Sequence, residues 1–350
     1  MAYRILLKFK EGILMNNILS QKNTKIVGLI FGFILMIVSF IASISLGITP
    51  IKFETVVESF LNYDQSMTEH IIIHTTRLPR AIIAAVVGSS LAVAGALMQA
   101  LTRNPLASPG ILGINAGALF TVSVAVTFFS VSSLVNLMWI AFVGAGLAVF
   151  LVYLLSSVGR EGLTSMKIVL AGAAITALFV SFTQGILVVN ESGLQEVLFW
   201  IAGSVSGRTL NMLLPVLPFM LAAGLAAMLM ANSINILATG EDIARALGQK
   251  ILLVKIAITI IFVVLAGGSV AVSGQIIFIG LMVPHIARLL VGIDYRWILP
   301  YCVIIGSSLL LISDIVARFA VSPGELPIGV ITALLGTPFF VYITRRGFNQ

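Results

Sequence analysis

A chain of 350 residues that is 59% hydrophobic and only 9% charged, with a mean hydropathy of +1.13, cannot clothe a water-soluble core, since soluble domains carry about a quarter charged residues. Its net charge of +7 would suit nucleic acid if Lys and Arg formed a stripe interleaved with aromatics; none does, so nucleic acid is excluded as a partner and the lipid bilayer is the solvent. The one cysteine, Cys302, excludes an intramolecular disulfide and a cysteine-based metal cluster.

In chain order, residues 1–25 read as a basic cytoplasmic tail. The apolar stretch from Gly12 to Leu19 is broken by Asn16 and Asn17 and lacks the small-residue cleavage site of a signal peptide. A hydrocarbon layer about 30 Å thick takes roughly 20 apolar residues per helix. Ten such stretches follow in a single transmembrane domain, 26–345: 26–48, 81–101, 111–130, 137–158, 168–189, 209–231, 251–272, 275–291, 298–317 and 326–344. The eighth contains Pro284 and His285 and reads as a short or bent span. The fold class is therefore all-α and polytopic, with about ten transmembrane helices.

Ten spans put both termini on one side. Fifteen of the twenty Lys and Arg fall on the connections of that side, and five on the other: Lys52, Arg77, Arg80, Arg208 and Arg318. The positive-inside rule then makes both termini cytoplasmic in a multi-pass plasma or inner-membrane protein.

The spans hold no ionisable group at mid-depth of the kind an ion-coupled carrier needs. Asp314 and Arg318 are spaced as an i,i+4 pair near the outer end of the ninth span, and His285, beside a proline, reads as a packing residue. There is no H-E-x-x-H, no G-x-S-G and no P-loop, so no catalytic residue, metal site or cofactor is assigned. Energy for work must come from another chain.

The longest cytoplasmic connection, from Asn232 to Lys250, points to that chain. Thr239 and Gly240 break it, Glu241 and Asp242 open a short helix, and Gly248 ends it. Ile243, Ala244 and Leu247 fall on one face by spacing. The segment suits either a groove on a soluble partner or an amphipathic helix lying on headgroups.

The most distinctive stretches are Arg77-Leu78-Pro79-Arg80, the small-residue span containing Gly88, Ala92 and Gly95, and the run from Met98 through Arg103-Asn104-Pro105-Leu106 to Gly110. With them belong Phe278-Ile279-Gly280 through Pro284-His285 to Arg288, Asp314 to Arg318, and Glu325-Leu326-Pro327-Ile328-Gly329. Together, over roughly residues 30–345, they resemble the FecCD family, the permease subunits of ABC importers for iron(III)-siderophores, haem and cobalamin.

The resemblance implies a transport subunit without enzymatic activity of its own. It would act with two ABC ATPase subunits, a second permease subunit, identical or paralogous, and an extracytoplasmic solute-binding protein. A metal chelate would pass at the permease dimer axis, an iron(III)-siderophore first, with haem or cobalamin as alternatives and an ion-coupled secondary transporter as the competing class. It also implies that Arg77, Arg80 and Arg318 dock the binding protein, where the residues alone would favour snorkelling beside headgroups. Asn104, Leu106, Thr164 and Ser165 resemble cytoplasmic gate residues. Gly240, Glu241, Ile243, Ala244, Leu247 and Gly248 match the loop that contacts the ATPase. Two five-helix halves must insert with opposite topology, an inverted repeat, of which Ala92-Val93-Ala94-Gly95 and Ala271-Val272-Ser273-Gly274 are a faint echo.

Overall fold

The computed structural model describes residues 18–158, 164–189, 194–321 and 324–348. The tail charges Arg4, Lys8 and Lys10, the loop residues Arg160 and Leu163, and the Ser165 side chain lie outside the described residues.

The first span is α1 (Lys22–Ser45), followed by the short helices α2 (Phe53–Leu61) and α3 (Thr68–Ile72). A π-helical turn, Ile73–Arg77, runs directly into α4 (Leu78–Thr102), so that 35 residues from Thr68 form one continuous helical rod. Pro79 lies inside this rod, where it removes one intrahelical donor, and the π-helical turn directly before it is where the ladder changes register. After a 3-10 turn (Pro109–Leu112) come α5 (Ile114–Phe129), α6 (Leu134–Ser157), α7 (Ser165–Val189) and a short α8 (Leu194–Ala202).

The sixth span departs from the expected single helix over 209–231. It comprises α9 (Leu210–Leu213), α10 (Leu217–Leu229) and, after a bend of 58°, α11 (Ala231–Thr239). Pro215 and Pro218 deny the i→i−4 ladder two donors, which explains the break before α10. The connection from Asn232, whose sequence reads as two short helices separated by a glycine, is thus helical up to Thr239. α12 (Glu241–Ala246), α13 (Ile251–Ser273), α14 (Ile279–Val291), α15 (Tyr295–Phe319) and α16 (Ile328–Phe348) complete the chain. The third and eighth spans, α5 and α14, have only 16 and 13 helical residues. Turn or extended backbone precedes each, in keeping with the short eighth span expected.

Among the described residues, seven helices are long and apolar enough to cross a membrane. The bent α10–α11 pair and the two short apolar helices bring the spans to ten. α4 is the centre, buried along nearly all its length and packed on α13, α14 and α15. Its closest neighbour is α15, and glycine decides the distance: a Cβ on Gly88 would lie 2.3 Å from the Gly306 carbonyl oxygen. Ser307 Oγ, beside that contact, donates to the Ala85 carbonyl at 2.8 Å. In lipid, where helices gain little from hydrophobic burial, such close approach and interhelical hydrogen bonding supply the association. α1, α7 and α16 lie outside and expose most of their apolar side chains.

The packing repeats between the halves. α4 lies on α15 as α13 lies on α6, and α5 touches α6 and α13 as α14 touches α15 and α4. The tetrapeptide echo is not part of that repeat: Gly95 sits inside α4, whereas Gly274 follows the end of α13.

Candidate functional site

Two charged clusters mark the two ends of the bundle. At one end, here the Arg80 end, the expected docking arginines come together but not at the surface. Arg77, Arg80 and Arg318 are only 4%, 6% and 4% exposed. Arg80 Nε donates to Asp314 Oδ1 at 2.8 Å and its Nη1 to Glu325 Oε2 at 2.7 Å. Arg318 Nη2 pairs with Asp314 Oδ2 one helical turn back, as the i,i+4 spacing required, and its Nη1 donates to the Ser43 and Leu46 carbonyls at 2.7 and 2.8 Å. Arg77 Nη1 donates to the Ile44 and Ser45 carbonyls at 3.0 and 2.7 Å, and its Nη2 reaches the Thr49 carbonyl.

The physical reason is the C-terminus of α1. The last carbonyls of a helix have no intrahelical donor and carry partial negative charge, and two guanidinium forks satisfy them. Burial, not solvation, is the result: all three guanidiniums are held by carbonyls and carboxylates of this chain. Glu325, part of the same cluster but nearer solvent, also accepts from Ser206 Oγ at 3.0 Å. Burial alone would raise its carboxyl, but the Arg80 guanidinium and the Ser206 hydroxyl outweigh it and hold the pKa below the ordinary 4.5. The exposed charges of the neighbouring 52–72 segment are mostly acidic: Lys52 stands beside Glu54, Glu58, Asp64 and Glu69.

The opposite end, the Glu241 end, carries α12. Gly240, at φ +128°, occupies backbone space closed to most L-residues and sets α12 off from α11. The shared face expected for Ile243, Ala244 and Leu247 does not form. Ala244 is fully buried against the protein, whereas Ile243 and Leu247 are 53% and 66% exposed. With a helix this short, i and i+1 point about 100° apart, so only Ile243 and Leu247, at i and i+4, share the outward stripe. Gly248, at φ +76°, ends the helix as expected.

Glu241 Oε1 accepts from Lys255 Nζ at 2.8 Å and lies 3.5 Å from Arg103 Nη2. Lys255 and Arg103 were legible as charges but not as partners. The available signal was a lysine one turn inside the apolar run of α13, fourteen residues after a glutamate.

The gate candidates are turn-formers here. Arg103 ends α4 with φ +50°, and Asn104 Oδ1 then accepts the Leu106 N–H at 2.9 Å, closing an Asx turn around Pro105. Asn104 is exposed and Leu106 half-buried. Thr164 Oγ1 accepts the Lys167 N–H at 3.3 Å at the start of α7, against which the 3-10 turn after the first loop also packs. His285 meets Phe339 edge-on with ring centroids 5.8 Å apart, a packing contact, and no cluster of metal-ligating side chains occurs among the described residues.

A ten-span bundle with glycine-mediated helix contacts, paired charges at its two ends and a short helix presented to solvent defines a multi-pass membrane protein. The FecCD transport family model matches residues 35–346, and the chain belongs to that family. It is the permease component of an ABC importer, a transport subunit rather than an enzyme. It is 48% identical to the probable siderophore transport system permease protein YfiZ of Bacillus subtilis (strain 168), covering 94% of this chain and 97% of that protein. It is 42% identical to the iron(3+)-hydroxamate import system permease protein FhuB of the same organism, covering 92% and 83%. Among solved structures, an inward-facing ABC transporter described as of the metal-chelate type superposes with a TM-score of 0.79 at 28% identity, covering 91% of this chain and 98% of that one.

Proposed function

We propose that this permease carries iron(III)-siderophores, with both termini in the cytoplasm, and that α12 is where the ATPase subunit docks. The outward Ile243 and Leu247 carry the docking reading. A short helix with apolar side chains open to solvent, at the end that holds most of the cations, needs a soluble partner's groove to cover it. The names of the siderophore and hydroxamate relatives support the cargo, and the fifteen-to-five distribution of Lys and Arg supports the orientation.

The binding protein docks at the Arg80 end, and the acidic 52–72 segment supports surface contact there. Arg77, Arg80 and Arg318 serve that surface from beneath, holding the α1 terminus and the Glu325 loop in place. The pathway runs along the dimer axis beside α5, α7 and α16. Two open, largely apolar cavities of about 630 and 640 Å³ on these helices support it, one lined by Ala333, Leu334 and Thr337 of α16 and the other by Phe120, Thr127 and Phe182 of α5 and α7.

The test is reconstitution of the permease with its ATPase in proteoliposomes, supplied with the binding protein loaded in turn with ferric siderophores, haem and cobalamin. ATP-dependent accumulation of a ferric siderophore is the expected result. Uptake of haem or cobalamin alone would reassign the cargo. Accumulation on a proton or sodium gradient without ATP would overturn the ABC-type mechanism.

A further inference from the structure

The Glu241 end contains a junction that the docking of α12 does not by itself require. α11 is fastened to the bundle: Asn235 Nδ2 donates to Asp294 Oδ1 at 2.7 Å, and Asn235 Oδ1 accepts the Tyr295 N–H at 2.8 Å. α12 hangs from that fixed helix through Gly240, a backbone position that tolerates rotation. Glu241 is the first residue beyond this joint, and its carboxylate contacts two different elements. Lys255, 6% exposed, stands on α13, and Arg103, 44% exposed, is the residue that ends α4.

Each contact leads to a loop. Arg103 is followed at once by the Asx turn of Asn104, Pro105 and Leu106. Lys255 leads by a polar chain to α6: its carbonyl accepts from Thr259 Oγ1 at 2.8 Å, and Thr259 Oγ1 meets the Tyr153 hydroxyl. Tyr153 is one turn before the end of α6, from which the chain runs to Thr164.

We propose that Glu241 is the positioning residue through which movement of α12 reaches the 104–106 turn and the end of α6. It pulls the 104–106 turn through Arg103 and the end of α6 through Lys255, Thr259 and Tyr153. The reasoning is mechanical. A helix on a glycine joint transmits displacement through the contacts made beyond the joint as well as along the chain into α13, and an ion pair with a buried lysine is strong, directional and expensive to break. The outward apolar pair receives the push, and the carboxylate on the inner side delivers it. This inference rests on the ATPase-docking reading of α12 and adds to it the route of transmission.

The experiment measures cargo moved per ATP hydrolysed by the reconstituted importer. In the assembled Glu241→Gln complex, cargo moved per ATP hydrolysed should fall at least about fivefold, the low end of an allosteric coupling, whatever the rate of hydrolysis itself. Arg103→Gln, at a more exposed position, should lower the ratio in the same direction. Glu241→Lys should lose coupling further, and adding Lys255→Glu should restore part of it, a rescue that simple damage to the fold would not give. If Glu241→Gln fails to assemble, Arg103→Gln and the charge exchange decide. Full coupling in an assembled Glu241→Gln complex, or no rescue by the exchange, overturns the proposal and leaves docking intact. Leu247→Glu distinguishes the underlying reading: it should abolish association with the ATPase, and association unchanged in that variant would remove docking and this inference together.

Discussion

The two ends of the bundle use the same chemistry, cations against carboxylates, to opposite purposes. At the Arg80 end, Asp314 is fully buried between Arg80 and Arg318, which are 7% and 3% exposed as side chains; Glu325 takes the far side of Arg80, and the Ser43 and Leu46 carbonyls accept from Arg318. At the Glu241 end, the carboxylate is 28% exposed, one of its two cations 44% exposed, and the helix that carries it hangs on a glycine. A carboxylate sealed from water between two cations cannot shift without leaving a buried charge half-made, whereas Glu241, with buried Lys255 on one side and exposed Arg103 on the other, can move with its helix while it keeps the lysine. The first arrangement suits a fixed frame and the second a part that moves.

That contrast can be broken most directly at Asp314. Asp314→Asn leaves Arg80 and Arg318 buried without their shared charge, and removing one partner of a buried pair costs on the order of 3–5 kcal/mol. Thermal unfolding in detergent should show this loss, whereas Glu241→Gln, at the open end, should shift the same transition far less. Equal shifts would dissolve the distinction between the ends.

A smaller effect is expected where the same two helices touch. Gly88→Ala would push a Cβ to 2.3 Å from the Gly306 oxygen and should destabilise by about 1–3 kcal/mol, the usual range for overpacking. Gly185→Ala on α7, with nothing within 4 Å of the added carbon, is the matched control. If both behaved alike, α4 and α15 would not be the rigid pair that the Arg80 cluster fastens.

Glu325 sharpens the comparison from the other side, because it belongs to the buried cluster yet is 27% exposed. Its folded-state pKa is depressed below 4.5. Its contribution to stability is therefore complete above the unfolded value and lost as pH falls through the folded value. The difference in unfolding temperature between the native protein and Glu325→Gln should be constant above about pH 5 and shrink on acidification, with an amplitude of at most about 1 kcal/mol for so accessible a pair. A difference independent of pH down to the acid limit would place Glu325 outside the ionic cluster.

The spans, the family motifs and the i,i+4 pairing of Asp314 with Arg318 were legible because each depends on neighbours in the chain. Hydropathy is a sum over adjacent residues, and helix spacing places side chains four apart on one face. The same local logic located α12 between Gly240 and Gly248. It failed to orient that helix, because in a single turn the outward side is chosen by what the helix lies on: Ala244 is the residue small enough to face the protein.

The sequence by itself therefore determined that this chain crosses the bilayer about ten times, because the bilayer tests every segment separately for length and apolarity, and its local motifs determined the family. Only the tertiary structure decided what its charges do. Arg80 is 234 residues from Asp314, and Arg318 is 275 from the Ser43 carbonyl it caps. Contacts across such separations depend on which helix ends the packing of small residues brings together, and no local pattern encodes that.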